Sequence, residues 1–287
     1  MAPGWKEIPD RIAVVSPIAM TLAEIGEVFP YNRVLFDPSC DLATLAELCA
    51  GDGAGITQQL DALKVHLETA EDEIPVALSA MSFPWLVAGV AIGSFLTDRR
   101  VPDLTPATVS YTFAEYGYPL DIVFRSARFS ALPDDPAAGD SDVTVVADIA
   151  ELRAVLQRQL AAHLAGVLRV MRARGAKVGR ETIRRTALEA CLSALCSVEA
   201  KLGRLPRLRD DVETIFRSGG LANPLFLPTL PVIREYPTGS GGRAASVALT
   251  TCCLRFRIPG QGPCPACPSQ DAAERERRMA ELARLYG

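Results

Sequence analysis

The sequence predicts an α+β fold that is predominantly helical, with a small β-hairpin or sheet and a cysteine-rich segment near the C-terminus. Apolar residues recur at steps of three and four residues over much of the first 230 positions, as on the buried face of a helix. Residues 108–129 are instead rich in β-branched and aromatic side chains separated by turn formers, which favours strands. The composition changes near residue 230, where prolines and glycines precede a cluster of cysteines. We therefore divide the chain into residues 1–230, 231–269 and 270–287.

The composition is that of a globular protein. The 287 residues are 49% hydrophobic and 22% charged, which argues against disorder and against a small disulfide-stapled domain. The formal net charge is -4, with both signs spread along the chain. Such a chain offers no extended basic surface for a phosphate backbone, so we expect no nucleic acid partner.

We expect no signal peptide and no transmembrane segment, and therefore a cytoplasmic protein. Lys6 and Asp10 interrupt the N-terminus, where a signal peptide needs an apolar stretch. The run Ile74–Leu96 has no charge and is long enough to span a bilayer. Pro84 divides it, because proline disfavours helix at the residue before it. The sequence thus predicts a loop followed by a short core helix over residues 85–97.

The first half of the chain predicts two short helices and two strands. Periodic apolar residues indicate helices over Leu42–Leu48 and Ile56–Ala70. Strands are expected over Thr108–Phe113 and Leu120–Phe129, with a turn between them. Turn-forming and acidic residues without periodicity predict an exposed loop over Ser130–Asp142.

The second half predicts two long helices, then a strand and a charged tail. The helices cover residues 148–173 and Arg180–Lys201, and we expect them to lie antiparallel. Residues Ala245–Phe256 have the pattern of a strand. The tail Ala272–Tyr286 has an apolar stripe, which is typical of a helix that docks on or caps the body.

Four of the eight cysteines form a compact Cys-Cys-x10-Cys-x2-Cys motif, made of Cys252, Cys253, Cys264 and Cys267. A Cys-x2-Cys turn lets two thiolates converge on one metal, and the neighbouring prolines stiffen that turn. Adjacent side chains of an extended strand point to opposite faces, so a local turn must redirect one member of the Cys-Cys pair. Zinc sites draw their ligands from two knuckles with spacers of about two to four residues, which this pair fits poorly. The motif therefore favours an iron–sulfur cluster.

Two arginines, Arg255 and Arg257, follow the Cys-Cys pair closely. Positive charge near a cluster stabilises the added electron, so these arginines are candidates for tuning the potential. They are equally candidates for contacting a substrate or an electron partner. Their alternation with apolar residues also fits the exposed face of a strand, and the sequence leaves both interpretations open.

The motif resembles the C-terminal signature of the FhuF-like ferric siderophore reductases, which has the same Cys-Cys-x10-Cys-x2-Cys spacing. Upstream, Asn223-Pro-Leu-Phe226 is similar to a tetrapeptide of that family, and Thr251–Pro259 is similar to its cluster segment. Where those reductases carry a tryptophan and a polar residue in the preceding helix, this chain has Arg184 and Arg185.

The resemblance implies an oxidoreductase in which the four motif cysteines hold a [2Fe–2S] cluster. The cluster would pass one electron to siderophore-bound Fe(III) and release Fe(II) for cellular iron assimilation. Residues 1–230 would face the siderophore, residues 231–269 would bind the cluster, and residues 270–287 would form a C-terminal helix. The partners implied are a ferric siderophore, with the hydroxamate type as one candidate, and an external electron donor. That donor would be a ferredoxin or an NAD(P)H-dependent reductase, because the chain has no Gly-x-Gly-x-x-Gly motif opening a helix. Peripheral attachment to the inner face of the membrane is a further expectation.

Two other functions remain open on the residues alone. The first is an iron–sulfur electron carrier or iron sensor without siderophore turnover. The second is a zinc-stabilised interaction module. Metal analysis would distinguish the zinc-stabilised module from the two iron–sulfur functions. Saturable binding of a ferric siderophore would exclude the electron carrier or iron sensor.

Other residues that carry reactive chemistry have simpler interpretations. The remaining cysteines have no metal-ligand spacing and are expected to pack in the interior as inert thiols; they are Cys40, Cys49, Cys191 and Cys196. The two histidines, His66 and His163, are expected in polar surface or capping positions. Trp85 lies in the most apolar part of the chain and is expected in the core.

Overall fold

The computed structural model describes residues 16–28 and 32–286. Residues 1–15, to which the signal-peptide prediction refers, lie outside the described residues. The helices within the described part are α1 (Pro17–Val28), α2 (Leu45–Leu48), α3 (Ala54–His66), α4 (Glu73–Asp98), α5 (Ile149–Arg174), α6 (Arg180–Lys201), α7 (Leu208–Val212) and α8 (Ala272–Tyr286). The strands are β1 (Val34–Phe36), β2 (Val101–Pro102), β3 (Val109–Phe113), β4 (Pro119–Phe124), β5 (Phe129–Ala131), β6 (Val143–Val145), β7 (Ile233–Pro237) and β8 (Arg243–Val247). This confirms the predicted α+β, mainly helical class.

The strands form three small sheets at the edges of the helical body. One has the order β1-β4-β3, with β1 parallel and β3 antiparallel to β4. The second has the order β2-β5-β6, and the third is the antiparallel hairpin β7-β8. The hairpin packs on α6, and α8 packs on β7. The segment that carries the cysteine motif therefore lies against the helical body.

Helix α4 is the centre of the core, and it contradicts the predicted break at Pro84. It runs without interruption from Glu73 to Asp98 with Pro84 inside it. Most of its side chains are buried against α1, α5 and α6. An interior proline costs a helix about 3 kcal/mol, which burial of this many apolar side chains exceeds. Packing therefore overrides the local signal.

Helix α4 is also the one helix among the described residues that is long and apolar enough to cross a membrane. Within the protein, 83% of its most apolar window is buried. A lipid-exposed span would present those side chains outward. The buried surface thus marks α4 as a core helix, as the sequence predicted for its second half.

The two long helices of the second half form where the sequence predicts them. Asp148 caps α5 because its carboxylate accepts hydrogen bonds from the backbone N–H groups of Ala150 and Glu151, both at 2.9 Å. Helix α6 begins and ends at the predicted residues, but its main packing partner is α4 rather than α5. Apolar residues recur around much of α6, and α4 supplies the surface that buries them.

The predicted strands are shorter than expected. The segment Leu120–Phe129 is divided between β4 and β5, and the strand expected over Ala245–Phe256 ends as β8 at Val247. The turn between β3 and β4 requires Gly117, whose φ is +83°. A Cβ atom at this position would lie 2.1 Å from the backbone oxygen of Gln59, so the turn packs directly on α3.

Candidate metal centre

The cysteine segment leaves the β7-β8 hairpin and turns sharply. After β8 the chain runs along α6 to Cys253, and Leu254 then adopts a left-handed backbone conformation with a φ of +61°. A 3-10 turn, Arg255–Arg257, follows directly. This reversal supplies the local turn that the adjacent pair Cys252 and Cys253 required.

The four motif thiols come together as two pairs, each joining one member of the Cys-Cys pair to one member of the Cys-x2-Cys turn. The sulfurs of Cys252 and Cys267 lie 3.7 Å apart. Cys253 and Cys264 form the second pair, linked by a hydrogen bond between their side chains. The backbone N–H of Cys267 donates to the carbonyl of Cys264 at 3.0 Å, which closes the Cys-x2-Cys turn.

The geometry of the pairs fits a metal that each pair would share. Two thiolates at tetrahedral positions about 2.3 Å from an ion lie about 3.8 Å apart, close to the separation of Cys252 and Cys267. Within residues 16–28 and 32–286, no three His, Cys, Asp or Glu side chains converge closely enough to hold a single ion. The separation of the Cys252 and Cys267 sulfurs is thus compatible with a shared ion, in a two-iron cluster as in a four-cysteine zinc site.

Hydrogen bonding and burial set the protonation of these thiols. The hydrogen bond from Cys264 is the largest influence on Cys253 and lowers its pKa to about 6, while the pKa of Cys264 is raised. Burial raises the pKa of Cys252 to about 11, against the Leu254 N–H, which lowers it, and with smaller increases from Cys267 and Cys253. A metal would displace the protons of these thiols, because thiolate is the ligand form.

Other groups donate to the sulfurs. The backbone N–H of Leu254 donates to the sulfur of Cys252 at 3.3 Å. The Ser269 hydroxyl lies 2.9 Å from the sulfur of Cys267. Cys253 and Cys267 are buried, whereas Cys252 and Cys264 are partly exposed. The centre is therefore shielded on one side and accessible on the other.

A buried carboxylate on α6 holds the segment in place. Glu189 is 1% exposed and accepts hydrogen bonds from the backbone N–H groups of Thr250 and Thr251 at 3.0 and 3.2 Å. Both threonine hydroxyls also donate to it. Arg185 donates to the same carboxylate at 3.0 Å, to the Thr250 hydroxyl at 2.6 Å and to the carbonyl of Thr229 at 3.3 Å.

The tetrapeptide Asn223–Phe226 is held by the segment that precedes it and by Arg184 of α6. The Asn223 side chain is buried and donates to the carbonyls of Ile215 and Ser218, at 2.8 and 3.2 Å. Arg184 donates to the carbonyl of Phe226 at 3.0 Å. The two arginines that mark this chain, Arg184 and Arg185, thus anchor the segments on either side of β7 and β8.

Arg255 and Arg257 lie in a 3-10 turn and not on a strand face, so the strand interpretation is wrong. Both side chains are exposed, as is Phe256 between them. Arg255 donates to the Gln261 side chain at 2.9 Å, and Arg257 pairs with Glu71, just ahead of α4. The turn therefore presents positive charge at the surface beside the cysteines.

An uncharged cavity of about 440 Å³ is lined in part by α6, the helix that also holds the cysteine segment, and we call it the aromatic cavity. It lies between α4, α6 and the start of β4, and none of the described residues that line it is charged. Six of its lining residues connect it with the cysteine segment or could contact a ligand: Ser82, Trp85, Tyr116, Tyr118, Ala190 and Ser193. Trp85 is half-buried at the cavity wall, so its predicted place in the core is only partly right.

Tyr118 connects the cavity with the metal-ligand candidates. Burial, first, and then Tyr116 and Cys253 raise the pKa of its phenol, while a hydrogen bond with Ser82 opposes them. This weak electrostatic influence of Cys253 relates Tyr118 to the cysteine motif. On the opposite wall, Ala190 comes directly after Glu189, which holds the cysteine segment.

The remaining reactive side chains are outside the cysteine motif, and one of them, His66, contacts a residue of the cavity wall. The cysteines outside the motif are buried, as expected of packing residues: Cys40, Cys49, Cys191 and Cys196. His66 is exposed and stacks on Tyr116, with ring centroids 4.4 Å apart. His163 contradicts its predicted surface position, because its ring is buried between the Tyr111 hydroxyl and the carbonyl of Leu104, each at 2.7 Å.

No protein-family model and no curated protein sequence matches the chain. The chemistry of the site therefore rests on its own residues.

Proposed function

We propose that this protein is a ferric siderophore reductase whose [2Fe–2S] cluster is held by Cys252, Cys253, Cys264 and Cys267. The observation that carries the proposal is the gathering of the four motif thiols, in a chain that also has an uncharged aromatic cavity between α4 and α6. A two-iron cluster takes two thiolates at each iron, whereas a structural zinc ion takes four around one centre. Both centres use four thiolates, and the poor fit of the adjacent Cys252 and Cys253 to a zinc knuckle favours the cluster over the zinc-stabilised module.

The cluster, when bound, would supply one-electron redox chemistry. The four cysteines would hold it as thiolates, and the Leu254 N–H would donate to one sulfur. Hydrogen bonds to ligand sulfurs and nearby cations favour the reduced state, so Leu254 and the exposed arginines would raise the potential. Partial exposure of Cys252 and Cys264 would bring an electron donor or acceptor within reach.

The aromatic cavity is the proposed position of the ferric siderophore. Its volume lies within the range of about 300–1,000 Å³ typical of small-molecule sites. A ferric hydroxamate has no net charge at the metal, because its anionic oxygens balance iron(III), and an uncharged wall receives such a complex without desolvating an unpaired charge. Catecholate complexes keep a negative charge that this wall does not compensate. The lining thus favours the hydroxamate type.

Reduction would release the metal. Hard anionic oxygens bind iron(III) more strongly than iron(II), so one electron weakens every iron–oxygen bond of the complex. Outer-sphere transfer needs no nucleophile or general base. The residues have to place the complex near the cluster, which Trp85, Tyr118 and Ser193 would do from three walls of the cavity.

The electron would come from a separate protein, a ferredoxin or an NAD(P)H-dependent reductase, as the sequence predicts. The turn Arg255–Arg257 is its proposed contact surface. An acidic surface on such a donor would complement the two exposed arginines.

The test begins with an anaerobic preparation, analysed for iron, zinc and sulfide, and by electron paramagnetic resonance before and after dithionite. We expect equal amounts of iron and sulfide, two of each per chain, and a signal that appears on reduction. Reduced protein should then convert a ferric hydroxamate to iron(II) trapped by a ferrous chelator. Cys264→Ser should lose the cluster, and Cys40→Ser is the matched control because Cys40 lies outside the motif.

Two results would contradict the proposal. Zinc in place of iron, after cluster reconstitution has also failed, would indicate the interaction module. A cluster that neither binds nor reduces any ferric hydroxamate would indicate an electron carrier or an iron sensor.

A further inference from the structure

The carboxylate of Glu189 has an unusual environment for a charged group. It belongs to α6, is 1% exposed and is surrounded by donors from a segment about sixty residues later in the chain. Those donors are the backbone N–H and the hydroxyl of both Thr250 and Thr251. Burying a carboxylate is unfavourable unless hydrogen bonds and an opposite charge compensate for the lost water. Here four donors and Arg185 do so.

The position of these contacts connects them to the metal-ligand candidates. Thr250 and Thr251 immediately precede Cys252 and Cys253, so Glu189 fixes the backbone from which both thiols project. Helix α6 continues into Ala190 and Ser193, which line the aromatic cavity. Glu189 therefore lies on a helix that contacts both the cysteine segment and the cavity.

We propose that Glu189, partnered by Arg185, is the positioning residue of the metal centre: it holds Thr250–Cys253 against α6, and its buried charge lowers the reduction potential. The inference rests on the proposed function for its redox part, while the positioning part concerns the protein with or without a cluster. A fixed negative charge near a cluster disfavours an added electron, and low solvent exposure strengthens that effect. Arg185 offsets part of this charge and keeps the carboxylate oriented toward the threonines.

The decisive variant is Glu189→Gln, which keeps the shape of the side chain and removes its charge. Its matched control is Glu181→Gln, on the same helix, where Glu181 is exposed and pairs with Arg184 at 3.2 Å. A third variant, Thr250→Val, removes one hydroxyl donor to Glu189 without altering α6. It gives an independent test of the same contact if the glutamine variant misfolds.

Two measurements are made on each variant. The first is hydrogen exchange of the Thr250 and Thr251 amides in the purified chain, read alongside the exchange of α4 amides to confirm folding. Loss of hydrogen bonds to a charged acceptor should accelerate exchange in Glu189→Gln by about tenfold or more. The second is the midpoint potential of the reconstituted cluster. It should shift to a more positive value in Glu189→Gln and stay at the wild-type value in Glu181→Gln.

Wild-type exchange and wild-type potential in Glu189→Gln would overturn the inference. Faster exchange at an unchanged potential would reject the electrostatic part. Should the wild-type protein hold no cluster, the proposed function would fail by itself, and the exchange experiment would still decide whether Glu189 positions the cysteine segment.

Discussion

Replacing His163 with glutamine tests how the buried core responds to pH. The imidazole lies on α5 with its ring almost fully buried. The carbonyl of Leu104 can only accept, so Nδ1–H donates to it, and in the neutral ring Nε2 accepts from the Tyr111 hydroxyl. Burial lowers the pKa of His163 from 6.5 to about 4. The unfolded chain therefore takes up a proton on this ring at a higher pH than the folded chain does.

The sign and the size of the change in the free energy of unfolding follow from this difference in pKa. A depressed pKa contributes stability above the unfolded value of 6.5, and that contribution is lost as the pH falls toward 4. Linkage between those two values gives a loss of about 2 kcal/mol in the free energy of unfolding between about pH 7.5 and about pH 5. A glutamine can also donate and accept, but it does not titrate, so His163→Gln should lack this loss.

The assay is urea unfolding at a series of pH values on the wild-type protein, His163→Gln and His66→Gln. His66 is the control because its ring is exposed at the surface. All three proteins keep the four motif cysteines, so acid lability of a bound cluster contributes equally and cancels in the differences. The reasoning is refuted if the wild-type protein and His163→Gln lose the same free energy between the two pH values.

Three further predictions concern the donor surface, the cavity and the core. Changing Arg255 and Arg257 together to glutamine should slow reduction by an acidic ferredoxin about tenfold at low ionic strength and leave dithionite reduction unchanged; stopped-flow rates that keep the wild-type salt dependence would contradict this. Trp85→Ala should raise KM for a ferric hydroxamate about tenfold through lost aromatic contact, at an unchanged midpoint potential; an unchanged KM would remove the aromatic cavity as the substrate site. Leu192→Ala, at a fully buried position of α6, should lower the free energy of unfolding by about 2–5 kcal/mol in urea titrations, whereas Leu285→Ala, 68% exposed, should stay within about 0.5 kcal/mol; equal losses would contradict the packing described.

Local signals predicted the long helices of the second half well. The boundaries of α6 and α8 match the predicted ones because periodicity and flanking residues agree there. Pro84 shows where such signals fail: the proline predicts a helix start, but the surfaces that stabilise α4 come from helices distant in sequence. The same holds for Ala245–Phe256. There the strand pattern continues past Val247, but Val247 already pairs with Ile233, the first residue of the antiparallel strand β7.

The buried polar residues were harder to predict from the sequence than the long helices. His163 stands three residues after Leu160 and four before Val167, and this phase on an apolar stripe indicates burial. Glu189 also lies among apolar neighbours, four residues after Arg185, which is the spacing of an ion pair. That pattern signals a buried pair on α6, but its threonine partners are distant in the sequence, and only the fold brings them together.

Both the sequence and the structure bear on whether the adjacent Cys252 and Cys253 can bind one ion together. Side chains of neighbouring residues diverge, so Cys252 and Cys253 are poorly placed to bind one ion together. In the structure each instead meets a different member of the Cys-x2-Cys turn, Cys267 and Cys264 respectively. The divergence that disfavours a mononuclear zinc site is thus the feature that produces two thiol pairs. A two-iron cluster would take two thiolates at each iron, and the ratio of iron to sulfide is therefore the quantity that most directly tests the proposed function.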